Sequence, residues 1–120
     1  MLDTEQSDKN EVQEGQGDDR LFCAKCHATV TRQCFAIHRR GAHQHTVFNP
    51  AGHVFTVQCF IHAPGAGMLG WPSTQFSWFP GLAWRVALCV ECGTHIGWEF
   101  SGPETFFGLI KPALTTSPNP

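Results

Sequence analysis

Lysine is scarce in the greater part of this chain. After residue 20 only Lys25 and Lys111 occur; with Arg32, Arg39, Arg40 and Arg85, set against Glu91, Glu99 and Glu104, they leave residues 21–120 only weakly basic. A nucleic-acid groove needs a stripe of phosphate-neutralising cations, so a nucleic-acid partner is not expected. No segment approaches the ~20 consecutive apolar residues of a membrane helix, which removes a membrane partner as well. The N-terminus has neither the basic nor the apolar region of a secretory signal, and a cytoplasmic location is expected. There is no Ser/His/Asp arrangement, no Gly-rich phosphate loop and no pair of carboxylates around a reaction centre, so the chain reads as a binding module and not as an enzyme. Internal repeats are absent, and no helical period lasts beyond two turns.

What is present is uneven. Residues 1–20 carry seven acids against Lys9 and Arg20, with Leu2 and Val12 almost the only apolar residues. Such a segment cannot bury enough surface to offset its ordering entropy, and a disordered acidic tail is predicted there. Residues 21–113 form the expected single domain, and 114–120 are expected to fray. Short strand signals lie at Val54 to Ile61, Ala83 to Leu88 and Thr94 to Phe100, with weaker ones at Ala28 to Ile37 and Thr105 to Ile110. Alternation puts Phe55, Val57, Cys59 and Ile61 on one face, Trp84, Val86 and Leu88 on another, and Ile96, Trp98 and Phe100 together. Turn residues punctuate the rest, leaving long loops over 38–53 and 62–74. The class is all-β.

Cys23-x-x-Cys26 and Cys89-x-x-Cys92 have the spacing of paired zinc knuckles. Two thiolates two residues apart can chelate one ion from a tight turn, and two such turns complete a tetrahedral four-thiolate site. With all four positions filled by thiolate, one structural Zn2+ tying two distant hairpins is predicted. Cys34 and Cys59 read as buried thiols. The seven histidines, His95 among them, read as surface or hydrogen-bonded groups.

Four Trp and ten Phe with no Tyr make a marked aromatic bias. Core packing accounts for most such residues. Ser77-Trp78-Phe79-Pro80-Gly81, however, sets a Trp beside a turn, where a ring is harder to bury, and each indole N–H needs a partner. Trp78, Trp84 and Trp98 are therefore candidates to enclose a flat ring.

The ordered run Gly70-Trp71-Pro72-Ser73-Thr74, Ser77-Trp78-Phe79-Pro80-Gly81-Leu82-Ala83-Trp84, Cys89-Val90-Glu91-Cys92 and His95-Ile96-Gly97-Trp98-Glu99-Phe100 resembles the thalidomide-binding CULT domain of the cereblon family. Cys23-x-x-Cys26 and Asn49-Pro50-Ala51-Gly52 fit the same pattern, so the likeness covers roughly residues 21–113. With no other domain attached, the chain looks like a bacterial single-domain member of that family. The resemblance implies a β-tent fold, two antiparallel sheets set steeply to each other and pinned by the zinc. It implies an aromatic cage walled by Trp78, Trp84 and Trp98 with Phe100 at its floor. Its ligands would be glutarimides of the thalidomide type or uridine-like rings, with C-terminal cyclic imides of proteins as candidate natural partners. Main-chain groups of the strand at Phe76 and Trp78 would meet the imide edge, Ser77 would belong to the same ligand site, and Asn49 and Pro50 would lie near the mouth. The human family member has His where this chain has Phe76, so one side-chain hydrogen bond is expected to be missing.

Three other readings share parts of the pattern. A B-type methionine sulfoxide reductase has similar CxxC pairs and a Gly-Trp-Pro-Ser string but needs a nucleophilic cysteine on a late strand, and none follows Cys92. RNA-end binding would need clustered cations beyond Arg39-Arg40. A protein-interaction zinc module without a small ligand would use the same Trp residues as plain core.

Overall fold

A computed structural model of the chain describes residues 18–117. The expected tail therefore lies mostly outside the described residues. The described part is all-β, with nine strands and two single-turn 3-10 segments, Gln33–Phe35 and Lys111–Ala113. Strands β1 (Arg20–Cys23), β2 (Thr29–Arg32) and β9 (Leu114–Thr115) form a small antiparallel sheet in the order β2-β1-β9. Strands β3 (Gln44–Phe48), β4 (Val54–Phe60), β5 (Ala66–Ser73), β6 (Ala83–Cys89), β7 (His95–Ser101) and β8 (Thr105–Ile110) form a six-stranded antiparallel sheet in the order β3-β4-β8-β7-β6-β5.

The two strands inside the stretches read as loops, β3 and β5, are the two edges of the large sheet. An edge strand can be half-solvated on both faces and can carry proline, so its sequence need not look like a strand. Gly67, Gly70 and Pro72 all lie within β5, and its pairing with β6 is irregular between Leu69 and Ser73. The C-terminal end also differs from expectation. Leu114 and Thr115 pair with Cys23 and Phe22, so the expected fraying does not begin there. Asp19, assigned to the tail by its composition, pairs with Arg32.

The large sheet buries both faces. Along β4, Val57 and Cys59 enter one apolar cluster with Phe79, Leu82, Trp98, Phe100 and Phe106, while Phe60 enters a second. The second cluster joins Ala66, Ala87, Cys89, Ile96 and Leu109 of the large sheet to Leu21, Cys23 and Val30 of the small one. Strand alternation produces this division, since successive side chains point to opposite faces. Each fully buried Phe, Ile, Leu or Val contributes roughly 1.5–3 kcal/mol, so both clusters matter to a domain of this size.

Ile96, Trp98 and Phe100 do not share a face, contrary to simple alternation. Ala87 pairs with Gly97 but Leu88 pairs with His95, which leaves one extra residue in β7. This β-bulge reverses the parity, so Ile96 joins the small-sheet cluster while Trp98 and Phe100 join the other. It is built around Gly97, where an added Cβ would come within 2.2 Å of the Gly108 carbonyl oxygen.

Candidate functional site

The two CxxC segments form the same turn twice. The His27 N–H donates to the Cys23 carbonyl and the Gly93 N–H to the Cys89 carbonyl, each at 2.8 Å. The Cys23 N–H donates to Ala28 and the Cys89 N–H to Thr94, again at 2.8 Å in both. His27 and Gly93, the fifth residue of each turn, have φ of 66° and 76°. The turns bring the thiols of Cys23 and Cys92 to 3.7 Å and those of Cys26 and Cys89 to 3.6 Å, and all four sulfurs lie within 4.8 Å of one another. A tetrahedral ion with metal–sulfur bonds of ~2.3 Å needs sulfurs ~3.8 Å apart, so the donor set fits a soft divalent ion. The Thr94 hydroxyl, 3.0 Å from Cys92 Sγ, and then the Thr94 backbone draw the Cys92 thiol down, whereas burial and the neighbouring thiols push Cys26 up. Cys23 and Cys89 are buried in the cluster between the sheets, so an ion here would join β1 to β6.

On the opposite face, the chain between β5 and β6 folds over the sheet as a loop. Phe79 anchors it, with its ring centroid 4.8 Å from Phe100 and 5.0 Å from Phe106. Ser77 shapes the turn, its hydroxyl donating to the Phe79 carbonyl at 3.1 Å and accepting from the Phe79 N–H at 3.3 Å. Two indoles tie the loop in place. Trp78 Nε1–H donates to the Phe48 carbonyl at 3.0 Å, and Trp84 Nε1–H to the Gln75 carbonyl at 2.7 Å. These bonds satisfy both donors and lock both ring planes.

A cavity of about 460 Å³ opens between the loop and the sheet, lined by Asn49, Pro50, Phe55, Phe76, Trp78, Trp84, Val86, His95 and Trp98. Its volume lies in the range of small-molecule sites. The indoles of Trp78 and Trp98 meet nearly edge to face at 4.6 Å and 83°. Phe55 backs Trp98 at 5.0 Å and His95 flanks it at 4.7 Å. His95 Nε2 lies 3.0 Å from the Gly97 carbonyl, and burial holds the imidazole below its ordinary pKa, so the ring presents itself neutral near pH 7. Among the described residues nothing hydrogen-bonds to the main-chain N–H or C=O groups of Phe76 and Trp78. The cavity is thus lined by aromatic residues, two of which, Phe76 and Trp78, carry uncommitted main-chain groups.

Six of the eight residues expected at a ligand site line this cavity: Asn49, Pro50, Phe76, Trp78, Trp84 and Trp98. Ser77 does not; it holds the turn. Phe100 is 1% exposed and lies behind the lining, 6.3 Å from Trp78. Phe76 and Trp78 lie in the loop and not on a strand, and Phe76 adopts φ 56° with its side chain 73% exposed. The Asn49 side-chain oxygen accepts the His53 N–H at 2.9 Å, closing the β3–β4 turn. Phe55, Val86 and His95 were not singled out as lining. Alternation from Trp84 to Val86 carried the signal for the second, whereas His95 reaches this face only through the bulge. Trp71, in the string shared with the reductase pattern, is 93% exposed and outside the cavity. Cys59 is buried as expected and pushed up to about 11 by burial; Cys34, read as buried, is exposed, and its thiol is raised chiefly by its hydrogen bond with Asp19, so neither environment activates a thiol.

No family model matches the chain. Among curated proteins it is similar to Protein cereblon of Drosophila melanogaster, with 36% identity over 104 residues, 78% of this chain and 18% of the relative. It is 42% identical over 72 residues to Protein cereblon of Xenopus tropicalis, covering 55% of this chain and 16% of the relative. With Protein cereblon of Gallus gallus the identity is 35% over 103 residues, 78% of this chain and 23% of the relative. The chain thus spans less than a quarter of the length of these relatives.

Proposed function

We propose that this chain, which carries a domain of the cereblon family, is a non-catalytic receptor that holds a cyclic imide or a uridine-like ring in its tryptophan-walled cavity. A glutarimide has an apolar saturated edge and a polar edge in acceptor–donor–acceptor order. The first suits the walls of Trp78, Trp84 and Trp98; the second suits the uncommitted main chain of Phe76 and Trp78. The observation that carries the reading is this pairing within one cavity of suitable size. Phe76 brings no side-chain hydrogen bond, so the backbone carries the polar recognition.

The four-cysteine cluster is assigned to one structural Zn2+. Cys23, Cys26, Cys89 and Cys92 would hold it, and its contribution is to fix the two knuckles relative to each other. C-terminal cyclic imides of proteins are the natural ligands this cage would accept, because such a ring protrudes from a chain end and leaves the peptide outside the mouth near Asn49 and Pro50. A cytoplasmic setting suits the uncrosslinked thiols.

A head group of about eight heavy atoms is bounded by roughly −1.5 kcal/mol per atom and falls well short of that bound. Micromolar affinity, about −8 kcal/mol, is expected for a glutarimide of the thalidomide type. Trp84→Ala removes a cage wall and should weaken binding by roughly 2–4 kcal/mol in a calorimetric titration, as for a buried hot spot. Equal affinity in the variant and the parent would remove the receptor assignment and leave the Trp residues as packing.

A further inference from the structure

A second cavity, of about 300 Å³, lies on the other side of the Phe79 turn and has no part in the cage. Arg39, Arg40, Phe79, Pro80, Gly81, Leu82, Pro103, Glu104 and Phe106 bound it. Its cations come from a two-residue hairpin. Arg39 and Ala42 pair through backbone bonds of 2.9 and 3.2 Å, and Arg40 and Gly41 take φ of 51° and 84° between them. Both central residues of such a turn need positive φ, and both arginines of the hairpin line the cavity. The hairpin is braced from below, since His45 Nε2 lies 2.9 Å from the Arg39 carbonyl and 3.1 Å from that of Ala42.

Arg39 is partly committed. Its Nε donates to Glu104 at 2.6 Å, its Nη1 to the His38 carbonyl at 2.7 Å, and its guanidinium lies 5.2 Å from the Phe106 ring centroid. Its Nη2 and the whole Arg40 guanidinium have no partner among the described residues. Two cations against one carboxylate leave a single positive charge at the cavity. That balance matches a monoanion better than a phosphate dianion. Buried Phe79, Leu82 and Phe106 close the floor, and Pro80 and Pro103 stand beside it, so the anion's body should be apolar.

We propose that this cleft is a second ligand site, taking a small carboxylate with a flat apolar body against the prolines and its charge on Arg40 and the free edge of Arg39. Planar guanidinium donors match the carboxylate fork. The site is independent of the imide reading and stands or falls without it.

The test is a two-dimensional amide NMR titration of the full chain with benzoate, and with uncharged benzamide, at constant ionic strength. Benzoate should shift the amides of Gly81, Leu82 and Glu104, benzamide should not, and Arg40→Gln should weaken benzoate binding roughly fivefold or more. Arg40 is exposed and unpartnered, so its replacement should leave the melting temperature unchanged, and Arg40→Lys should keep part of the affinity. Equal shifts with benzamide, undiminished benzoate binding in Arg40→Gln, or shifts confined to the cage residues would each overturn the proposal.

Discussion

The metal end and the cage end of this domain are held by different means. At the metal end, each turn is shaped by the same backbone hydrogen bonds, and the apolar cluster that contains Cys23 and Cys89 brings the two turns together. At the cage end, the loop between β5 and β6 is fastened by side chains, with Phe79 driven into the core and two indole N–H groups bonded to distant carbonyls. This second arrangement leaves the main-chain groups of Phe76 and Trp78 without hydrogen-bond partners among the described residues. If the cavity takes an imide as proposed, these unspent polar groups are what would meet its polar edge.

The largest test breaks the comparison outright. Structural zinc in small domains has apparent binding free energies of ~10–16 kcal/mol, comparable with or above the whole stability of a typical domain. Chelation, or Cys89→Ser, should therefore abolish cooperative thermal unfolding and erase the near-ultraviolet signal of the cage tryptophans, although the cage lies on the opposite sheet face. Metal analysis should return one ion per folded chain. A chelated chain that kept its tryptophan signal would show that the cage end stands on its own packing.

The next test strikes the joint between the ends. The bulge at Gly97 turns Ile96 to one face and Trp98 to the other, and the added Cβ of Gly97→Ala would press on backbone atoms of Gly108 and Leu109. Backbone has little room to move, so a loss on the order of 3 kcal/mol is expected in chemical denaturation. Ligand affinity should fall as well, because Trp98 and His95 depend on the bulge for their direction. A variant with parental stability would mean that β8 yields easily and that the joint is soft.

The same contrast explains what could be read from the amino acids. The thiol cluster was legible because a CxxC turn is local, and its chemistry follows from spacing. Strands β4, β6 and β7 were legible because they are central and strongly apolar, whereas β8, though central, gave only a weak signal. The edge strands β3 and β5 were not: Gln44 to Phe48 alternates too weakly, and Gly70 and Pro72 read as breakers where an edge accepts them. In the cage, Trp78, Trp84 and Trp98 emerged from composition and family likeness and Val86 follows from alternation with Trp84, whereas Phe55 reaches the cavity from β4, across the sheet. His95 needed a bulge that no periodicity announces, and Phe100 sank into the core because Phe79 covers it.

The smallest test sharpens the comparison inside the metal end itself. The two turns are alike in their hydrogen bonds, yet one places Gly93 at φ 76° and the other places His27 at φ 66°. A left-handed backbone costs an L-residue roughly 1–2 kcal/mol, while glycine there gives back ~0.4–1 kcal/mol through the greater entropy of the unfolded chain. His27→Gly should therefore stabilise the metal-loaded domain by about 0.5–1 kcal/mol, seen as a higher denaturation midpoint at unchanged slope. Gly93→Ala should move the midpoint the other way. If His27→Gly lowers the midpoint instead, the imidazole is contributing more than its backbone strain removes, and the two knuckles are equivalent in geometry but not in energy.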